Sequence, residues 1–352
     1  MTYLAKPKLH HPDLPKNTVG HTRRDYEGRI STLCAGCGHD SISAAIIQAC
    51  WETNIEPHRV AKLSGIGCSS KTPDYFLGNS HGFNSVHGRM PSVATGANLA
   101  NRELLYLGVS GDGDSASIGI GQFAHCMRRG VNMVYIVENN GVYGLTKGQF
   151  SASADLGTKS KKGDANAMAP IDPVLLALTL GATFVGRSFS GDKAELVPLI
   201  EAGLAHDGFA IIDVISPCVT FNDHEGSTKS YMYTRKHLEA ITPVDFVPEA
   251  SEITAPDHSG GRAIDVTMHD GSTVRFRSVP EGYDPSNRMG VMSYLYERQQ
   301  KAEVPTGLLF VETGRPQMHT IAKSADEALV HLPFEALNPG AAALEKLQRA
   351  YR

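Results

Sequence analysis

The sequence predicts an α/β fold, a mostly parallel sheet flanked by helices. Three observations carry that expectation. Between residues 31 and 235, short apolar runs alternate with helix-length stretches, the texture of parallel strands joined by crossover helices. Two of those runs, 104–109 and 131–137, are apolar nearly throughout, as strands covered on both faces are. Each leads into a polar turn, Gly111-Asp112-Gly113-Asp114 after the first and Glu138-Asn139-Asn140-Gly141-Val142 after the second. Open α/β sheets bind their ligands at that end of the strands.

Taken in order, residues 1–30 read as a polar arm without helical period, expected to strap a partner. A helix is expected over 41–52 with Asp40 as N-cap, then a short strand over 60–63. A helical stretch starts at Ser92, the 104–109 strand follows, and a helix runs to Arg129 before the 131–137 strand. Pro173 opens a helix over 173–180 that Gly181 ends, 193–205 forms another, and 209–215 reads as a strand. From about 236 the texture changes to charged segments broken by proline and glycine. A short strand over 307–312 and an amphipathic helix over 341–351 stand out there. The cofactor domain is therefore expected over 31–235. Residues 236–352 are expected to form an extension that contacts a partner subunit, with a separate small domain as the alternative.

At 352 residues and 37.8 kDa the chain can bury a large core. A net charge of −4 and a pI near 6.4 argue against a nucleic-acid partner. No apolar run is long enough to span a bilayer and no charged-then-apolar leader follows Met1, so a cytoplasmic protein with no membrane partner is expected. In that reducing compartment cysteines usually serve metals or catalysis rather than disulfides.

The two turns suggest a diphosphate–magnesium site. Asp112 and Asn140 each offer a side-chain oxygen, and the turn after Asn140 offers a carbonyl. Mixed hard oxygen ligands suit Mg²⁺, whose other positions phosphate oxygens and water would fill. The glycines let backbone approach phosphate closely. Of the six cysteines, four stand in loops: Cys34 and Cys37 in Cys34-Ala35-Gly36-Cys37-Gly38, Cys68 in Gly65-Ile66-Gly67-Cys68-Ser69-Ser70, and Cys218 after Ser216-Pro217. Cys50 and Cys126 lie in apolar helical patterns and read as packing residues. A C-x-x-C pair fits a redox dithiol, a zinc knuckle or an iron–sulfur ligand pair. The polar segment before Cys34 disfavours a thioredoxin-type dithiol, and spacing does not choose between zinc and a cluster.

The GDG and NN signals, a little under thirty residues apart, resemble the thiamine diphosphate fingerprint. With the cysteines included, the chain from about Thr32 to about Asn222 closely resembles the β subunit of the 2-oxoacid:ferredoxin oxidoreductases. The shared motifs are C-x-G-C-G at Cys34, G-I-G-C-S-S at Gly65, H-G-R at His87, A-T-G at Ala94 and G-D-G-D at Gly111. N-N-G-V-Y-G-L-T-K-G-Q follows at Asn139, and S-P-C-V-T-F-N at Ser216. Ala35 departs from the family's usual proline, a position that supplies no ligand. The resemblance implies a thiamine diphosphate-binding domain of the diphosphate type. It implies one [4Fe–4S] cluster on Cys34, Cys37, Cys68 and Cys218, and Mg²⁺ on Asp112, Asn140 and the Val142 carbonyl. Cofactor contacts are further implied for Gly67, Ser69, His87, Gly111, Gly113, Asp114, Leu145 and Thr146, and catalytic or pocket roles for Lys71, His87 and Leu145.

Beside these implications stand readings of single residues. Lys71 could pair with a substrate carboxylate or be a surface lysine. His87 and Arg89 could serve the same anionic site or pin their own loop. Leu145 would supply the apolar wedge that bends thiamine, Thr146 a diphosphate donor, and Asp114 a turn-stabilising carboxylate. The run Lys159-Ser160-Lys161-Lys162 could steer coenzyme A phosphates or an acidic ferredoxin, with a solvated loop preferred. Thiamine also needs a carboxylate at its aminopyrimidine, held on a second α/β domain for which too few residues follow 235. An α subunit is therefore expected as partner, in an (αβ)2 assembly. The resulting expectation is oxidative decarboxylation of 2-oxoglutarate to succinyl-CoA, with electrons passed to ferredoxin, or the reverse carboxylation. Pyruvate or broad 2-oxo-acid use, a non-redox thiamine lyase and a zinc-stabilised scaffold are the alternatives.

Overall fold

A computed structural model describes residues 11–249 and 262–351. In chain order its strands are β1 (Val60–Ser64), β2 (His81–Asn84), β3 (Leu105–Gly111), β4 (Met133–Asn139), β5 (Val142–Tyr143), β6 (Gln149–Phe150) and β7 (Phe184–Phe189). They continue with β8 (Phe209–Ile215), β9 (Leu238–Thr242), β10 (Val244–Val247), β11 (Ile264–Thr267), β12 (Thr273–Phe276) and β13 (Val304–Val311). An eight-stranded sheet takes the order β2-β1-β3-β4-β8-β7-β13-β9, parallel at every pairing except β7 with β13. Every residue of β4 and β8 is buried, which is why both read as unbroken apolar runs.

Helices α1 (Gly38–Glu52), α2 (Met90–Ala100), α3 (Ile120–Arg129), α4 (Pro173–Leu180) and α5 (Lys193–Ala205) cover the sheet. They pack as two groups, α1 with α5, and α3 with both α2 and α4. The caps explain where they start and stop. Asp172 accepts from the amides of Val174 and Leu175 ahead of Pro173, and Gly181 ends α4 in the left-handed region at φ +89°. Asp192 accepts from the Glu195 amide to open α5, and Gly130 closes α3 at φ +63°. Helix α1 corrects the sequence reading. It starts at Gly38 with Cys37 in the cap position, and Asp40 lies inside the first turn. A Cβ at Gly38 would lie 2.5 Å from both Ser190 Oγ and Ser216 Oγ, so glycine lets the helix begin tight against the strand ends.

The polar arm is tied down over its described part, while residues 1–10 lie outside the described residues. Residues 11–30 strap their own domain: Asn17 donates to Tyr26 Oη and to the Trp51 carbonyl, and Trp51 Nε1 donates to the His21 carbonyl. Tyr26 is fully buried.

Helix α6 (Tyr231–His237) spans the expected boundary at 235, and beyond it come α7 (Arg288–Gln300) and an antiparallel sheet of β10, β12 and β11. The main sheet does not end at 235, however. Strand β13 pairs with β7, and β9 pairs with β13, so part of the expected extension is a sheet edge. The helix Gly340–Arg349 is exposed along its whole length. Among the described residues no helix is long and apolar enough to cross a membrane.

Candidate functional site

The loops after β1, β3 and β4 converge on one cleft at the carboxyl ends of those strands. Gly67, Cys68 and Ser69 come from the first, Gly111 to Asp114 from the second, and Asn140, Val142, Tyr143 and Gly144 from the third. Close packing dictates the glycines. A Cβ on Gly65 would overlap Ser110 Oγ and Asp114 Oδ2, and one on Gly113 would press into the Tyr143 ring. Tyr143 in turn donates to the Gly113 carbonyl at 2.8 Å and ties the two loops together.

Asp112 is 1% exposed and sits in the cleft wall. The hydroxyls of Ser151 and Ser153 and the Gly141 amide all donate to its Oδ2, which leaves Oδ1 for a ligand. Burial pushes this carboxyl above the usual range, against the pull of those hydroxyls and of Lys229. A bound divalent cation would supply the compensation that such a desolvated carboxylate lacks. Asn140 folds its Oδ1 back onto the Val142 amide at 3.0 Å, an Asx turn that presents the remaining lone pair and the loop's carbonyls. The donor set therefore fits a magnesium-bound diphosphate.

The four loop cysteines come to one place, and all are free thiols. A Cβ on Gly144 would lie 3.3 Å from Cys68 Sγ and 3.6 Å from Cys218 Sγ, so both sulfurs border the same space. Cys37 is pushed up to about 12, chiefly by burial, with Glu138, Cys218 and Cys68 acting in the same direction. Cys68 is likewise raised, chiefly by burial and also by Cys218 and Cys34. Among the described residues no three His, Cys, Asp or Glu side chains close on one point as around a single ion. Four thiols gathered at one place fit a [4Fe–4S] cluster, which takes one thiolate on each iron. Cys50 and Cys126 are fully buried packing residues, as the sequence implied.

The other expected site residues stand around the rim. Lys71 is half-buried in the turn that Cys68 opens, and its charge acts on the Cys68 thiol. His87 and Arg89 are exposed, Leu145 is 53% exposed, and Thr146 is exposed with its hydroxyl on Gln149 Oε1. Asp114 accepts from the Gly88 amide at 2.7 Å and from Ser110 Oγ at 2.9 Å, tying the His87 loop to the end of β3.

Several residues were missed from sequence. Ser151 and Ser153, the supports of Asp112, lie in a loop with no motif of their own. Asn139 donates to Asp213 at 2.9 Å and accepts from Ser153 at 2.8 Å. Asp213 is paired with Arg187, and Arg187 with Asp172. These groups join the Asp112 wall to a neighbouring cavity of about 590 Å³, lined in part by Asn139, Ser153, Arg187 and Asp213. Below the cysteines, His39 Nδ1 meets Ser216 Oγ at 2.6 Å, and its Nε2 lies 3.7 Å from the fully buried Glu138. Burial pushes His39 down to about 4 and Glu138 well above the usual range.

Comparison with known proteins agrees with this geometry. Residues 65–214 match the family described as thiamine pyrophosphate enzyme, C-terminal TPP binding domain. A 2-oxoacid:ferredoxin oxidoreductase subunit beta from Sulfolobus sp is 37% identical over 276 residues, covering 78% of this chain and 87% of that protein. The chain belongs to the β subunits of the 2-oxoacid:ferredoxin oxidoreductases. A second β subunit of that description, from Saccharolobus solfataricus, is 43% identical over 199 residues, which span 56% of this chain and 65% of that relative's length. Among solved structures, the 2-oxoglutarate:ferredoxin oxidoreductase from Magnetococcus marinus, with 2-oxoglutarate, coenzyme A and succinyl-CoA bound, superposes with a TM-score of 0.69. It is 31% identical, and the match covers 86% of this β subunit and 88% of that chain.

Proposed function

We propose that this β subunit is the cofactor-bearing half of a coenzyme A-dependent 2-oxoglutarate:ferredoxin oxidoreductase, acting in the cytoplasm within an (αβ)2 assembly. The observation that carries the reading is that Asp112 and Cys68 line the same cleft, so a diphosphate–metal site and a cluster loop share a wall. A non-redox thiamine lyase would leave the thiol quartet without a task, and a zinc scaffold would leave the buried Asp112 without one. Bound here, thiamine diphosphate would supply the electron sink for decarboxylation of a 2-oxo acid, and a [4Fe–4S] cluster would supply one-electron transfer.

The chain's own residues divide the work. Asp112 Oδ1, Asn140 Oδ1 and the Val142 carbonyl would hold Mg²⁺, while Gly111 and Gly113 admit the diphosphate against backbone. Cys34, Cys37, Cys68 and Cys218 would hold the cluster, iron providing the charge that makes these buried thiols thiolates. Gly67 and Ser69 border the cofactor, and Thr146 gives the diphosphate a hydroxyl. Leu145 offers the exposed apolar surface against which a bent thiamine rests. Lys71 and His87, at the rim, suit the two carboxylates of a 2-oxo diacid. The Magnetococcus neighbour, described with 2-oxoglutarate and succinyl-CoA, supports that choice over pyruvate or broad 2-oxo-acid use.

Among the described residues lining the cleft, the carboxylates are Asp112 and Asp114, both engaged at the diphosphate end. The acid that activates the aminopyrimidine then comes from the α subunit. The test is dye-coupled turnover with thiamine diphosphate, Mg²⁺ and coenzyme A. The isolated β subunit is expected to be silent, and the αβ complex to turn over 2-oxoglutarate in preference to pyruvate. Turnover by the isolated chain refutes the shared site, whereas equal rates on both acids overturn the substrate choice alone.

A further inference from the structure

The lysine run at 159–162 has no task in the function proposed above, yet it lies against a cysteine loop. Lys161 Nζ stands 4.7 Å from the centre of the Phe221 ring, and the Phe221 amide donates to the Cys218 carbonyl at 3.2 Å. The other cysteine loop is built the same way. Tyr231 Oη donates to the Gly36 carbonyl at 2.9 Å, between Cys34 and Cys37, and the Arg235 guanidinium lies 5.4 Å from the Tyr231 ring centre. Each cysteine loop thus carries an aromatic ring, and each ring carries an exposed cation. Neither cation forms an ion pair among the described residues.

Resting on the cluster assignment above, we propose that this face is the docking site of a small acidic electron carrier. Lys161 and Arg235 are its charged contacts. Cys34, the exposed member of the quartet, opens onto the same face, with Thr220 Oγ1 donating to its sulfur at 3.6 Å. A carrier has to come close to the cluster to exchange electrons with it, and this is where the quartet reaches the surface. Val219, beside Gly36, and Met232, 86% exposed, give the patch apolar contacts within a basic rim. Lys159, Lys162 and Lys236 extend that rim. The carboxylates nearby are fewer: Asp164 in the lysine loop, Glu225, and Asp223, which accepts from the Tyr231 amide at 2.9 Å. A small patch with a charged rim and a modest apolar centre is the form of a transient redox contact. There complementary charge sets the encounter rate more than the final affinity. Sequence alone favoured a solvated loop for this run, because nothing in it shows that Phe221 brings Lys161 to the cluster.

The experiment uses the αβ complex and two acceptors, an acidic [4Fe–4S] ferredoxin and methyl viologen. The double variant Lys161→Glu/Arg235→Glu is expected to lower kcat/KM for ferredoxin about tenfold or more at low salt, mainly through KM, and the gap should close at high salt. Methyl viologen reduction stays unchanged, which reports an intact fold and cluster. Arg59→Glu, a charge reversal at the amino end of β1, leaves both acceptors unaffected. Unchanged ferredoxin kinetics in the double variant, or an equal fall with both acceptors, overturns the docking face. So does a raised KM for coenzyme A with ferredoxin kinetics intact. A wild-type complex that takes up no iron under anaerobic reconstitution, or one stripped of iron that still reduces ferredoxin, refutes the function proposed above, and this face with it.

Discussion

Replacing Arg187 with methionine tests the framework behind Asp112. The Arg187 side chain is 8% exposed, with Nε 2.9 Å from Asp213 Oδ2 and Nη2 2.5 Å from Asp172 Oδ1. Methionine keeps much of the aliphatic volume but leaves two enclosed carboxylates without their cation. Removing one partner of such a buried pair costs about 3–5 kcal/mol. The loss should depend on pH in a definite direction. Burial already pushes Asp213 above its usual range, although Arg187 pulls it down, and without Arg187 it rises further. A carboxyl whose folded pKa is raised stabilises the fold at low pH and ceases to as pH climbs through that value. The variant is therefore most destabilised at pH 7 to 8 and recovers toward pH 5. Urea unfolding followed by far-UV circular dichroism at the two pH values measures this, with a lower midpoint expected at an unchanged slope. Adding Asp213→Asn should restore part of the loss. A loss under about 1 kcal/mol at pH 7, or one that ignores pH, would refute the reasoning, since it would mean that Arg187 compensates nothing.

Two further outcomes follow from the same geometry. Asp112→Ala is expected to abolish thiamine diphosphate binding by calorimetry while visible absorbance from the cluster persists, and unchanged affinity would remove Asp112 from the metal site. Burial pushes Glu201 up to about 9, with Glu52 adding in the same direction. Its contribution is complete below about 4.5 and is lost as pH rises to about 9. Stability should thus decline by up to about 1.4 kcal/mol per pH unit across that window. Glu201→Gln should flatten the decline, and a slope that survives the substitution would assign it to other groups.

The parts legible in sequence are those whose signal is local. Strand β8 and helices α4 and α5 fall where apolar runs, Asp172, Asp192 and Gly181 mark them. Asp112, Asn140 and Cys68, singled out by the motifs around them, line one cleft. What stayed hidden depends on distant contacts. Ser151 and Ser153 look like any loop serines until Asp112 is placed between them. The Asp40 cap failed because tight packing at Gly38 lets α1 begin earlier. The run 307–312 was legible as a strand, but its place beside β7 was not, because no local pattern names a partner more than a hundred residues away.

That placement bears on how the protein is made. On the ribosome, β7 emerges long before β13, and until Val304–Val311 follows, β7 presents an unpaired edge within an apolar sheet. Such an edge invites pairing with another nascent chain. A truncation near residue 235, drawn to isolate the cofactor-binding half, would make that transient state permanent. Its product should self-associate rather than behave as a minimal domain. The segment that looked like an appendage is thus what lets the sheet leave the ribosome closed on that side.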